Sequence, residues 1–157
     1  MDILNLGAGN SPVKLKEGDR GVNHDLRLDP ARPWVTVAWD LNDRPWPWED
    51  ESFDTIVASA VLEHLRLNLL ESLGECWRIL RPGGLLWVKI PYALSETAFD
   101  DPTHYWQFGL HVFDYFDPTV KNGKKYTFYT DRKWEIVRPA RLNKPRTSII
   151  ATLRVRK

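Results

Sequence analysis

At 157 residues, with 43% hydrophobic and 27% charged residues, the chain is long enough for one domain with a real core and has the composition of an ordinary soluble protein. The single cysteine, Cys76, excludes an intrachain disulfide, no apolar run reaches the length of a membrane span, and Met1-Asp2-Ile3 opens without the apolar core of a signal peptide; a cytoplasmic protein is expected. The net charge of +1 conceals a split: residues 1–120 carry 10 Lys/Arg against 19 Asp/Glu, residues 121–157 carry 12 against 2. A basic last third of this kind has two readings, a surface for a polyanion such as nucleic acid or a solvated face paired with the acidic body.

The first signal is Ile3-Leu4-Asn5-Leu6 running into Gly7-Ala8-Gly9. A short apolar run bounded by turn residues reads as a buried strand, and glycine directly after it lets the backbone turn with positive φ and approach a ligand closely. Ser11 to Gly21 leaves room for little more than a turn of helix, and Pro12 stands where a dinucleotide fold has its third glycine. A pyrophosphate cradle is therefore not expected, and a nicotinamide oxidoreductase is disfavoured.

Val22-Asn23-His24-Asp25-Leu26 reads as a second strand ending in an acid, and Trp34 to Trp39 as a third, followed by Asp40-Leu41. The Pro-, Trp- and acid-rich stretch 42–52 reads as a surface loop. Phe53 to Ala60 is a fourth strand, after which Leu62, Leu65, Leu69, Leu73, Cys76 and Leu80 recur at spacings of three and four, one face of a helix. Arg81-Pro82-Gly83-Gly84 stops that helix and Leu85 to Pro91 is a fifth strand. Strand, helix and strand in this order require a crossover and a parallel pair. Residues 92–120 break the pattern, with a short helix around Leu110 to Phe116. Lys133–Ala140 and Thr147–Arg156 read as a closing antiparallel hairpin.

Asn5, Asp25 and Asp40 thus sit in or at the ends of three strands. If these are neighbours, the residues face one crevice at the carboxyl edge of the sheet, where ligands of open α/β folds bind. A carboxylate after the second strand suits ribose hydroxyls, one after the third an adenine amino group, and the glycine turn faces the remainder. That set fits an adenosine bearing a small group that is not anionic.

Asn5-Leu6-Gly7-Ala8-Gly9, Phe53-Asp54, Leu62-Glu63-His64-Leu65 and Arg78-Ile79-Leu80-Arg81-Pro82-Gly83-Gly84 occur in the order found in the class I S-adenosylmethionine-dependent methyltransferases, which the chain resembles. The resemblance implies a Rossmann-like α/β fold, with a mostly parallel central sheet, a C-terminal antiparallel hairpin and reduced helices on one face. It implies a single domain over residues 1–157, with a cofactor-binding half at 1–91 and an acceptor-side loop and closing hairpin at 92–157. It implies S-adenosylmethionine as cofactor, with Gly7, Ala8 and Gly9 at its methionine end, Asp25 at the ribose, Asp40 and Leu41 at the adenine, and Ser59 and Ala60 contacting it from the fourth strand. Asn5 stands where many of these enzymes have an acid. The first two crossover helices are nearly absent, so one face of the sheet is thin or covered by a partner.

The expected reaction is methyl transfer to an O or N nucleophile of a small molecule, a sugar or a nucleic acid. On the acceptor side Asp101-Pro102-Thr103-His104 is similar to a segment of the family, and the loop 92–109 leaves the carboxyl edge of the sheet. There His104 is the candidate base, since imidazole titrates near neutral pH, with Asp101 orienting it and Tyr105 and His64 nearby. Two readings of His104 stay open, a base or a pin for its loop, and Glu63 and His64 also fit a helix cap. The histidines and acids match no compact metal motif, and no metal is expected. The rival function is a non-catalytic binding module or a subunit of a larger complex.

Overall fold

The computed structural model describes residues 1–157. Seven strands, β1 (Asp2–Leu6), β2 (Arg20–Asp25), β3 (Val37–Ala38), β4 (Phe53–Ser59), β5 (Leu80–Pro91), β6 (Lys133–Leu142) and β7 (Ser148–Arg156), form one sheet in the order β3-β2-β1-β4-β5-β7-β6. The first five pair in parallel, and β7 runs antiparallel to both β5 and β6. From β1 the chain builds outward to β2 and β3 on one side, then returns to β4 on the other. The sheet therefore has its topological switch point between β1 and β4, and a crevice opens beyond their carboxyl ends. The fold is Rossmann-like α/β with an antiparallel C-terminal hairpin. No helix is long and apolar enough to cross a membrane.

The strands alternate, and their two faces differ sharply. On one face Leu4, Leu6, Ile56, Ala58, Leu86, Val88, Ile90, Ala151 and Leu153 are at most 1% exposed. They pack with Leu73, Cys76 and Ile79 of α1 (Leu69–Ile79) and with Phe113 and Trp134 in one core. Burying each of the leucine, isoleucine and valine side chains contributes about 1.5–3 kcal/mol. On the other face Thr55, Val57, Ser59, Leu85, Trp87, Lys89, Ile150, Thr152 and Arg154 are only half-buried. The connections on that side are short loops, so the thin face read from the missing helices is present.

Four local readings need correction. The leucine-spaced stretch from 62 to 80 is not one helix: a 3-10 turn at Leu62–His64 is followed by extended Leu65, and α1 begins only after Asn68. Asn68 and Glu71 form a reciprocal capping box, the Asn68 side chain accepting from the Glu71 N–H at 3.1 Å and the Glu71 carboxylate accepting from the Asn68 N–H at 2.9 Å. This satisfies the helix's first free N–H groups and fixes its start. The helix ends at Ile79, and Leu80 already pairs with Phe53, so β5 precedes Arg81-Pro82-Gly83-Gly84, whose residues bulge out of the ladder. The third strand shrinks to Val37–Ala38 at the edge of the sheet, because the Val35 N–H turns back to the Arg32 carbonyl instead of joining the ladder. The loop 42–52 is not merely superficial. Trp46 is 2% exposed, its N–H donating to Glu75 and its indole to the Leu41 carbonyl. Arg78 of α1 holds the loop through the carbonyls of Trp46 and Trp48. Trp46, held by Glu75 and Arg78 of α1, thus packs the β3–β4 connection onto the core.

Candidate functional site

Gly7 closes β1 with φ +60°, and a Cβ placed on it would meet Val61 at 2.8 Å. Glycine is needed here twice, for the left-handed turn and for the approach of the segment after β4. Gly9 follows at φ +48°, where a Cβ would meet only the Gly7 carbonyl oxygen, at 3.9 Å. The turn is tied from β2. The Gly9 N–H donates to Asp25 Oδ2 at 2.9 Å, and the Ala8 N–H to the His24 carbonyl at 2.8 Å. His24, 2% exposed, accepts from the Gly7 N–H at 3.4 Å through Nδ1 and donates through Nε2 to the Trp39 carbonyl at 2.9 Å. One neutral imidazole thereby joins the ends of β1, β2 and β3, and its burial lowers its pKa.

A pocket of about 430 Å³ opens at this point, lined by Gly7, Gly9, Asp25, Asp40, Leu41 and Ala60 among others. Its size suits a small-molecule ligand. Asp25 already accepts from Gly9, from the Leu26 N–H at 2.7 Å and from Arg32 at 2.9 Å. Asp40 Oδ1 accepts from both the backbone and the side chain of Asn42 at 2.9 Å, which leaves Oδ2 for a ligand donor. A bare glycine turn, a held carboxylate and a second carboxylate with a spare oxygen fit an adenosyl cofactor.

The second pocket, about 350 Å³, shares Ala60 and His64 with the first and is lined further by Glu63, Lys89, Asp101 and His104. Ala60 turns the chain with φ +54°, unusual for a residue with a Cβ, and drops Glu63 inward. Glu63 is 1% exposed and both of its carboxylate oxygens lack a partner. Burial raises its pKa to about 7. The loop that follows β5 is stitched to this segment: the Tyr105 N–H donates to the Glu63 carbonyl at 2.8 Å and the Trp106 indole to the Leu65 carbonyl at 2.9 Å. His104 Nδ1 lies 3.3 Å from the Ala98 carbonyl and its Nε2 lies 4.0 Å from Asp101. Burial, with His104 nearby, lowers the His64 pKa, while the Thr103 hydroxyl bonded to Asp101 lowers that carboxyl's.

The sequence-derived candidates divide accordingly. Gly7, Gly9, Asp25, Asp40, Leu41 and Ala60 line the first pocket; His64, Asp101 and His104 meet at the second. Asn5 is placed elsewhere. Its amide donates to the Ser11 carbonyl and to Asn23, so it shapes the loop from behind, and with Ala8 and Ser59 it lines a hollow that meets the first pocket at Gly7, Gly9 and Ala60. Tyr105 lines neither pocket and is 58% exposed. Glu63 and His64 do not cap α1; Asn68 does. The sequence reading missed His24, Arg32 and Lys89. Lys89 was detectable as the one charge in the apolar strand Leu85 to Pro91, whereas the roles of His24 and Arg32 depend on tertiary contacts. In the basic last third Arg154 pairs with Glu135 and Lys157 with Glu51, while Arg138 and Arg141 stay exposed.

The profile of a family described as "Methyltransferase domain" matches residues 19–88. Among solved structures, a putative methyltransferase from Bacillus halodurans superposes with a TM-score of 0.63 at 16% identity, covering 99% of this chain and 93% of that one. A SAM-dependent methyltransferase from Archaeoglobus fulgidus gives a TM-score of 0.63 at 15% identity, covering 98% and 85%. A chain of the Haloferax volcanii complex between the Trm112 methyltransferase activator and the putative methyltransferase gives 0.63 at 12% identity, covering 99% and 83%. At these identities the likeness to the solved structures is one of fold. No curated protein matches the sequence.

Proposed function

We propose, from the matched segment and the fold, that the chain is a class I S-adenosylmethionine-dependent methyltransferase and that it transfers a methyl group from S-adenosylmethionine to an O or N nucleophile. The observation that carries the reading is the pair of adjoining pockets, one fitting an adenosyl ligand and the other lined by polar groups that include the Glu63 carboxylate, which has no partner in the protein. S-adenosylmethionine supplies an already activated methyl group, so the protein's main task is to place an acceptor in line with it. Gly7 and Gly9 leave room for the ligand's methionine end. Asp25 accepts from the ribose and Asp40 Oδ2 from the adenine. The acceptor lies in the second pocket, beside Glu63, His64 and His104.

A second reading, a subunit whose thin sheet face is covered in a larger assembly, draws on the half-buried Val57, Leu85 and Trp87. The two are compatible unless ligand binding is lost. The test is incubation with methyl-labelled S-adenosylmethionine and acceptor sets of small molecules, sugars and nucleic acids, with label transfer as the readout. Transfer that disappears in Asp25→Ala supports the enzyme. No transfer, together with no binding of S-adenosylhomocysteine, supports the subunit.

A further inference from the structure

Glu63, His64 and His104 each present one ligand atom, and these atoms lie within 4.8 Å of one another. Two features set the group apart from a chance cluster. Glu63 is 1% exposed and has no hydrogen-bond partner on either oxygen, although buried carboxylates are ordinarily paired or bound to metal. In addition, each imidazole is held by one nitrogen only. Thr103 gives its hydroxyl proton to Asp101 at 2.6 Å, so at 2.8 Å from His64 Nδ1 its oxygen must accept. His64 therefore carries its proton on Nδ1 and leaves Nε2 free. His104 donates through Nδ1 to the Ala98 carbonyl and likewise leaves Nε2 free. Outer partners that fix the tautomer and turn the other nitrogen inward are what metal-binding histidines have.

We propose that Glu63, His64 and His104 form a binding site for one divalent transition-metal cation, opening on the acceptor pocket. Two imidazoles and one carboxylate suit Zn2+, Mn2+ or Fe2+ and leave coordination positions open. Ligand atoms around a tetrahedral Zn2+ stand roughly 3.3 Å apart, given bonds of about 2.0–2.1 Å, so the three side chains close up modestly when the ion enters. The charge of the ion also answers the burial of Glu63. Its role rests on the methyltransferase reading: the open positions face the acceptor, and a bound hydroxyl loses its proton to solvent more readily because the cation stabilises the resulting oxyanion. This assigns the acceptor an oxygen donor and makes His104 a ligand rather than a free base.

The test uses the full chain stripped with EDTA and titrated with Zn2+ and with Co2+, by calorimetry and by the visible spectrum of Co2+. One equivalent should bind, with the intense absorption of a low-coordinate cobalt site. Glu63→Gln and His104→Ala should each weaken binding about 10-fold or more, while His111→Asn, whose imidazole is exposed beside Asp114, should bind as the parent does. Thr103→Val, which touches no ligand atom of the ion, should also weaken binding by releasing His64. Absence of binding by the parent chain, or equal binding by the folded Glu63→Gln and His104→Ala variants, overturns the site. S-adenosylhomocysteine binding measured on the same samples separates the two claims. Cofactor binding without metal binding removes only the metal site; metal binding without cofactor binding removes only the methyltransferase reading.

Discussion

In the pocket at the ends of β1, β2 and β3, most polar groups already have protein partners: Asp25 holds Gly9, Leu26 and Arg32, Asp40 holds Asn42, and His24 joins Gly7 to Trp39. Across Ala60, the Glu63 carboxylate has no partner, and His64 and His104 each keep one nitrogen free. The first pocket is pre-set to receive a ligand of fixed shape. The second holds unspent hydrogen-bonding and ligating capacity, which costs stability and persists where a bound group answers it. Recognition by a finished surface and recognition by an unsatisfied one predict opposite responses to mutation.

The largest effect is expected where the first pocket is most rigid. Gly7→Ala introduces a Cβ at 2.8 Å from Val61 on a backbone with φ +60°. Crowding and strain together should lower stability by about 2–5 kcal/mol, read by urea denaturation, and remove cofactor binding at temperatures where the variant is still folded. Stability within error of the parent would show that the turn is not held as described. Asp25→Ala should cost about 1–3 kcal/mol in affinity for S-adenosylhomocysteine, by calorimetry, with the fold kept because the residue ends its strand.

The second pocket should respond with the opposite sign. With chelator present, Glu63→Gln should stabilise the protein by about 1–3 kcal/mol at pH 8, since it removes a buried charge without a partner. A destabilised variant would indicate that Glu63 is satisfied within the protein.

A smaller effect concerns pH. His24 is neutral in the fold, its pKa lowered from the ordinary 6.5 by burial, while the Asp25 carboxylate beside it pulls the other way. Protonation would put a hydrogen on Nδ1 against the Gly7 N–H. The unfolded chain takes up this proton more readily, so the contribution of His24 is whole above about 6.5 and is lost as pH falls from there towards its lowered folded value. The difference in melting temperature between the parent and His24→Gln should shrink over that window, and a constant difference would remove the assignment.

The first pocket was legible in the sequence because its residues lie beside strand ends and turn glycines, which local pattern marks: Gly7, Gly9, Asp25 and Asp40 could be placed before any contact was known. The second was half legible. His104 and Asp101 stood out as titratable residues in a loop leaving the sheet edge, but Glu63 read as a helix cap because the leucine spacing through Leu65 concealed the break before Asn68. Asn5 and Ser59 line the adjoining hollow rather than the first pocket, because adjacent residues of a strand point to opposite faces and both belong to the thin face. Trp46 was taken for a surface residue because burial of a loop depends on what packs over it, here Glu75 and Arg78 of α1.

The central claim is that the cleft beyond β1, β2 and β3 binds an adenosyl cofactor. Calorimetric titration of the full chain with S-adenosylhomocysteine tests it most directly. The account predicts one site per chain with a Kd at or below roughly 100 µM, weakened in Asp25→Ala and unchanged in Glu63→Gln. No saturable heat up to millimolar ligand, or the same affinity in Asp25→Ala as in the parent, would contradict it.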